Sequence, residues 1–292
     1  MLDSKALPRL KSRKDIAEFL ATSLVFLYLL AALVAFALLP LNAARWKRTP
    51  FLGAFVEPTM MFNDSGPAGA VSWNAHEMGL KLGYQLLRVA DEPVNNASDI
   101  RRVLSQFQPG DTVSIGVRTP DGSLQTYWVP LQQFPVFDWV AYFLLPYLIG
   151  LIYLGAAVWV FLLRRGSPDG RAFTVIGVSV AVMLGALFDV YTSHTFTPLW
   201  SLAVPMAGAG LFSLGFYFPA GVSWARRRPW LTWAGYVTAL LLAAYSYVAL
   251  FSLANPLAYV RAWQLSYLFA GGMVLVFLFL MTTQRLQAES PI

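Results

Sequence analysis

The chain has 292 residues, of which 57% are hydrophobic and only 12% charged, with a formal net charge of +6. A water-soluble domain carries nearer a quarter of its residues as charges, so most of this chain calls for a bilayer as its solvent. The absence of cysteine excludes disulfides, thiolate catalysis and cysteine-ligated metal centres, and basic residues clustered beside apolar runs, with no basic stripe among exposed aromatics, exclude nucleic acid as a partner.

Residues 1–15 form a basic tail carrying Lys5, Arg9, Lys11, Arg13 and Lys14. Ile16 to Pro40 is then an apolar run of roughly 25 residues, more than the ~20 a bilayer needs, and no small-residue cleavage site follows. It reads as an uncleaved first transmembrane helix over 16–40. The charge ahead of it predicts a cytoplasmic N-terminus, with the residues after Pro40 outside.

Residues 49–133 change character, gaining charges, glycines and period-two alternation, and they predict a small α+β domain on the extracytoplasmic side. "NAHEMGLKLG" (74–83) opens like a zinc-protease helix, H-E-x-x-H. The second ligand position is Leu80, however, and the only other histidine is His194. A catalytic metal site is therefore not expected, and His76 is expected in a loop. Tyr84–Val89 predicts a strand and Ala90–Pro93 a turn. Asn96 or Ser98 can cap a helix whose apolar face is Ile100, Val103, Leu104 and Phe107. Pro109-Gly110 stops it, and two strands follow, joined at Asp121-Gly122 with Val113, Ile115 and Val117 on one face.

Five more apolar runs follow: Val136–Leu163, Phe173–Ser193, Leu199–Phe218, Trp230–Phe251 and Tyr259–Thr282. Their links alternate between basic (Arg164, Arg165, Arg171; Arg226, Arg227, Arg228) and nearly uncharged, with a single Arg261 in the last. Six spans with both termini inside satisfy every link, so 136–283 reads as a five-helix bundle and 284–292 as a cytoplasmic tail. Trp139, Trp200, Trp224, Trp230 and Trp263 fall near span ends, where amphipathic rings favour the headgroup region. Pro146 and Pro205 predict kinks, and the spacings Ala203/Ala207 and Ala209/Ser213 predict close helix approach. Asp189 and His194 lie near the outer end of the third run, beside Tyr191 and Thr192. They form a candidate ligand- or pH-responsive cluster beneath the domain, set against a plain interfacial polar cluster.

The order "GLKLGYQLLRVADEPVNNASDIRRVLSQFQPGDTVSIGVRTPDGS" (79–123) resembles a bacterial PDZ domain, with Gly83-Tyr84 departing from the usual Gly-Asp. The resemblance implies that an added peptide strand is held between residues 54–57 and the helix of residues 98–107. Its carboxylate would lie in a loop matching Phe51, Leu52, Gly53 and Ala54. Arg45, Lys47 and Arg48 just before it either attract that anion or are plain juxtamembrane charges. Anchor, PDZ-like domain and multi-pass bundle together, with "FLGAFVEPT" and "LFDVYTSHTFTPLW", resemble the membrane sensor half of bacterial histidine kinases of the competence type. That likeness implies a receptor in the bacterial cytoplasmic membrane. It would detect an extracytoplasmic peptide or envelope protein and pass the signal to a cytoplasmic output domain or response partner, as a homodimer by analogy. No catalytic motif or cofactor signature is present, so no enzyme is expected, and the tail after the last span is expected to be cut short of an output domain. A membrane adaptor for a protease or another envelope partner, and a transporter, are the alternatives.

Overall fold

The computed structural model describes residues 13–218 and 230–287. Lys5, Arg9, Lys11, Trp224 and Arg226 to Arg228 lie outside the described residues, as does the tail beyond 287.

The fold is mostly helical, with one small antiparallel sheet. Helix α1 (Arg13–Lys47) is 35 residues long, about 52 Å at 1.5 Å per residue, well beyond the ~30 Å hydrocarbon core. The sequence predicts an end at Pro40, but the helix continues through it. Proline removes the N–H that would bond the carbonyl four residues back, and that carbonyl, of Phe36, instead accepts a 3.0 Å hydrogen bond from the Tyr147 hydroxyl. The last turns of α1 therefore rise past the apolar run and carry Trp46 under the small domain.

The first helix of that domain is the short α2 (Asn74–Glu77), which holds His76 where the sequence predicts a loop. A four-stranded sheet follows, built from β1 (Gln85–Val89), β2 (Glu92–Pro93), β3 (Thr112–Arg118) and β4 (Leu124–Pro130) in the order β2-β1-β3-β4. Ala90 and Asp91, both at positive φ, make the tight β1–β2 turn. Val113, Ile115 and Val117 turn to one face and are buried, as their alternation predicts. Helix α3 (Ala97–Leu104) covers that face; Asn96 caps it by accepting the Asp99 N–H at 3.0 Å. Val103 and Leu104 are buried, and Ile100 and Phe107 pack against the same core.

The second apolar run opens with α4 (Val136–Trp139), passes through a single widened π turn at Val140–Leu144 and continues as α5 (Leu145–Arg164). Pro146 offers no N–H to the Tyr142 carbonyl, and the widened turn accommodates its ring. The third run is not one helix. α6 (Pro168–Gly185) starts earlier than expected, where Ser167 caps it by accepting the Gly170 N–H at 3.3 Å. It breaks at Ala186, and α7 (Leu187–Tyr191) is a separate short helix. α8 (Thr197–Tyr217), α9 (Trp230–Leu250) and α10 (Ala258–Gln287) complete the bundle.

Among the described residues, five helices, including α1 and α4 to α5 taken together, are long and apolar enough to cross a bilayer. The chain is thus a helical membrane protein with a small α+β domain. α6 is shorter and largely buried, packed between α5 and α8. Small residues set those approaches: a Cβ on Gly177 would meet that of Ala157 at 3.0 Å, and one on Gly210 would meet Ile176 at 2.8 Å. Trp200 lies near the start of α8, as its place in the run predicts, but does not face outward. It is buried against Trp263, with its indole N–H on the Met183 carbonyl at 3.0 Å.

Candidate functional site

Every residue from Pro50 to Phe62 is buried, because the segment serves two cores at once. Leu52, Ala54 and Val56 enter the domain core. Phe51 and Phe55 turn the other way, into an aromatic junction with Trp73, Phe134 and Phe188 that Trp46 and Tyr191 also join. Phe55 stacks on Tyr191 at 5.3 Å, and Trp46 meets Phe188 edge-on at 5.2 Å. Rings from α1, the domain and α7 so form one continuous contact, and ring pairs of this kind add about 0.5–1.5 kcal/mol each beyond simple burial.

Asp138, at the start of the second run, ties the junction down. Its carboxylate is completely buried and accepts from the N–H groups of Ala68 and Gly69, both at 2.9 Å, and from the Trp73 indole at 2.7 Å. Nothing in the sequence singles this residue out except an acid at the head of an apolar run.

The four residues that the resemblance assigns to a carboxylate loop take different positions. Phe51 pairs its backbone with Gln132, at 2.7 and 3.0 Å. Gly53 sits at φ +87 under α2, where a Cβ would lie 2.6 Å from the Ala75 nitrogen, and its carbonyl accepts the His76 N–H at 2.9 Å. Phe51, Leu52 and Ala54, with Val56, line a narrow groove of about 50 Å3. The opposite wall is α3, through Ala97, Ile100, Arg101 and Leu104, and the groove is completed by Trp46, Tyr191 and Thr192. The structure therefore brings three of the four predicted residues to the groove and turns Gly53 away from it. The walls contributed by Tyr191 and Thr192 were not legible in the sequence, since they come from a helix more than 130 residues downstream.

Gly53→Ala is expected to destabilise the chain by about 2 kcal/mol, because left-handed backbone costs a residue with a Cβ roughly 1–2 kcal/mol and α2 must shift as well. The check is the denaturation midpoint of the full chain in detergent; an unchanged midpoint would show that α2 does not seat on this loop.

Asp189 and His194 are neighbours in one turn but do different things. The Asp189 carboxylate accepts from the Ser193 hydroxyl, the Thr195 N–H at 3.3 Å and the Phe196 N–H at 2.7 Å, which ends α7 and starts α8. His194, at φ +56, sends its ring away from Asp189, and its Nε2 lies 2.9 Å from the Val56 carbonyl of the domain. A neutral imidazole donates there, and burial pushes its pKa down to about 4. Next along the chain from Val56 is Glu57, the last residue of the predicted 54–57 groove wall. It is 1% exposed and hydrogen-bonded to the Asn63 amide through Oε1, and among the described residues Oε2 has no partner. Burial pushes its pKa up to about 7. The signal available in the sequence was a lone acid in the apolar stretch "AFVEPTMMF" (54–62).

No protein-family model matches the chain, and no curated protein matches it. The groove is an apolar slot with one guanidinium, Arg101, closed on one side by the bundle residues Tyr191 and Thr192. The described ion pairs are Arg102–Glu92 and Arg164–Asp169, neither of which engages Arg101.

Proposed function

We propose that the chain is a membrane receptor module of the histidine-kinase sensor type, with six spans, both termini cytoplasmic and a PDZ-like domain outside in a bacterial cytoplasmic membrane. It detects an extracytoplasmic peptide or envelope protein and passes the signal to a cytoplasmic output domain or response partner. The observation that carries this reading is that the groove is walled by Tyr191 and Thr192 as well as by the domain. A groove of about 50 Å3 has room for only a few waters, at roughly 10–15 Å3 each on the same measure, and is too small as it stands for a peptide strand. A ligand must part α3 from the 51–56 segment, and the wall it presses on is the α7–α8 turn of the bundle. Binding thus favours one packing of domain on bundle over another, which is the differential affinity a switch requires. Arg101 supplies the charge for a peptide carboxylate.

The experiment is binding of a C-terminal peptide library to the full chain in nanodiscs. Selective peptides are expected, and Arg101→Glu should weaken them by about tenfold or more, the scale of one charge-assisted hydrogen bond. Ile100→Trp, which fills the slot, should abolish binding with the domain still folded. A folded chain that binds no peptide would leave the domain as a docking unit of the adaptor kind.

A further inference from the structure

A second cavity lies within the bundle, far from the domain's groove. It measures about 570 Å3, within the roughly 300–1,000 Å3 usual for small-molecule sites. α6 and α8 form its floor, and α1 and α9 its two sides. It runs along α8 from Leu199 to Tyr217, about 27 Å at 1.5 Å per residue and so close to the depth of the hydrocarbon core. Leu24 on one side and Val237 on the other are more than half exposed, so the slot is open laterally.

Its polarity is graded. Leu199, Leu202 and Met206 line the end nearer the domain, whereas Arg171, Tyr217 and Tyr236 gather at the other end. Arg171 is held in place there: one guanidinium nitrogen donates to the Arg165 carbonyl at 3.2 Å and to the Thr22 hydroxyl at 3.4 Å. Neither described ion pair includes it. A fixed cation with no carboxylate partner among the described residues, at the polar end of a long apolar slot, has the layout of an acyl chain joined to an anionic head.

We propose that this slot binds an anionic phospholipid, with one acyl chain along α8 and the phosphate on Arg171. Basic pockets between spans select such headgroups, and one arginine near the membrane surface is worth about a fivefold preference over a zwitterionic lipid. The occupant would tie α1 to α9 across a gap that the protein leaves open, which places lipid between the first span and the later ones.

The test uses dibrominated lipids, which quench nearby tryptophan, with the full chain reconstituted in phosphatidylcholine bilayers. Trp233 lines the slot, and its signal is isolated by subtracting the Trp233→Phe variant. At equal mole fraction, brominated phosphatidylglycerol should quench Trp233 with about fivefold higher apparent affinity than brominated phosphatidylcholine. The excess should disappear in Arg171→Gln, persist in Arg171→Lys and be blocked in Val237→Trp, which fills the slot. Equal quenching by the two lipids, or an excess that survives Arg171→Gln, would overturn the proposal. Loss of the excess on adding soluble inorganic phosphate at constant ionic strength would also overturn it by assigning Arg171 to free phosphate. Because the chain has no cysteine, Val237→Cys gives a clean probe of the remaining occupant. Quantitative disulfide dimers with Trp233 unquenched would assign the slot to a second copy instead.

Discussion

Asp138→Ala is expected to lower the stability of the folded chain by about 4 kcal/mol, the scale of leaving buried partners of a carboxylate uncompensated. Three donors point at this one side chain: two consecutive backbone N–H groups, of Ala68 and Gly69, and the indole of Trp73. Alanine would orphan all of them at once. The loop 64–72 would lose its anchor on the second span, and Trp73 its polar partner at the centre of the aromatic junction. Asp138→Asn separates the contributions, since its amide oxygen can still accept from the loop while its NH2 opposes the Trp73 N–H. The asparagine variant should therefore be intermediate, and combining it with Trp73→Phe should relieve part of its cost. Unfolding midpoints of the parent, Asp138→Asn, Trp73→Phe and the double variant in mixed micelles give the coupling directly. An Asp138→Ala protein as stable as the parent would mean that the loop and the indole find water or other partners at no cost, and that the junction is held by ring packing alone.

How much of this could be read in advance varied with the range of the interaction. The hairpin at Asp121-Gly122, the Asn96 cap and the buried alternation at Val113, Ile115 and Val117 depend on neighbours in sequence, and they were legible for that reason. The apolar runs were visible, but their ends were not. Pro40 reads as a stop until Tyr147 satisfies the Phe36 carbonyl, and Tyr147 lies more than a hundred residues away. The break in the third run had a visible cause that was read for another purpose. In the sequence Asp189 reads as an ionisable group at a membrane boundary, whereas its carboxylate serves the backbone of the α7–α8 turn. Phe51, Leu52 and Ala54 line the groove against α3, whereas Gly53 seats under α2. The third wall, and the buried Glu57 beside it, follow from how the domain seats on the bundle, and no local pattern encodes that seating.

That seating sets the second large effect. Glu57 and His194 flank the contact through Val56, and their titrations oppose one another. Glu57 ordinarily titrates at 4.5 and in the fold at about 7, so between these values the folded chain holds a proton that the unfolded chain has lost, and stability falls as pH rises. His194 ordinarily titrates at 6.5 and in the fold at about 4, so between these values the unfolded chain holds the extra proton, and stability rises with pH. The windows overlap from about 4.5 to 6.5, and the unmodified protein should be nearly flat there. Removing either group should expose the other. Each window is about 2.5 units wide, and at about 1.36 kcal/mol per unit the uncovered swing is about 3 kcal/mol. Glu57→Gln should thus gain about that much stability between about pH 4 and 6.5, and His194→Asn should lose about that much between about pH 4.5 and 7. The groups around Glu57 are Asn63, which keeps its hydrogen bond in either state, and Tyr191 and Tyr259, which lie within its electrostatic reach. Melting temperatures of the two variants across pH 4 to 8, in one detergent at constant ionic strength, make the comparison. Opposite slopes place both groups in a dry contact between domain and bundle, so that any ligand parting the two would also change their protonation. Flat profiles in both variants would mean that water reaches Glu57 and His194, and that the domain rides on the bundle more loosely than its aromatic junction implies.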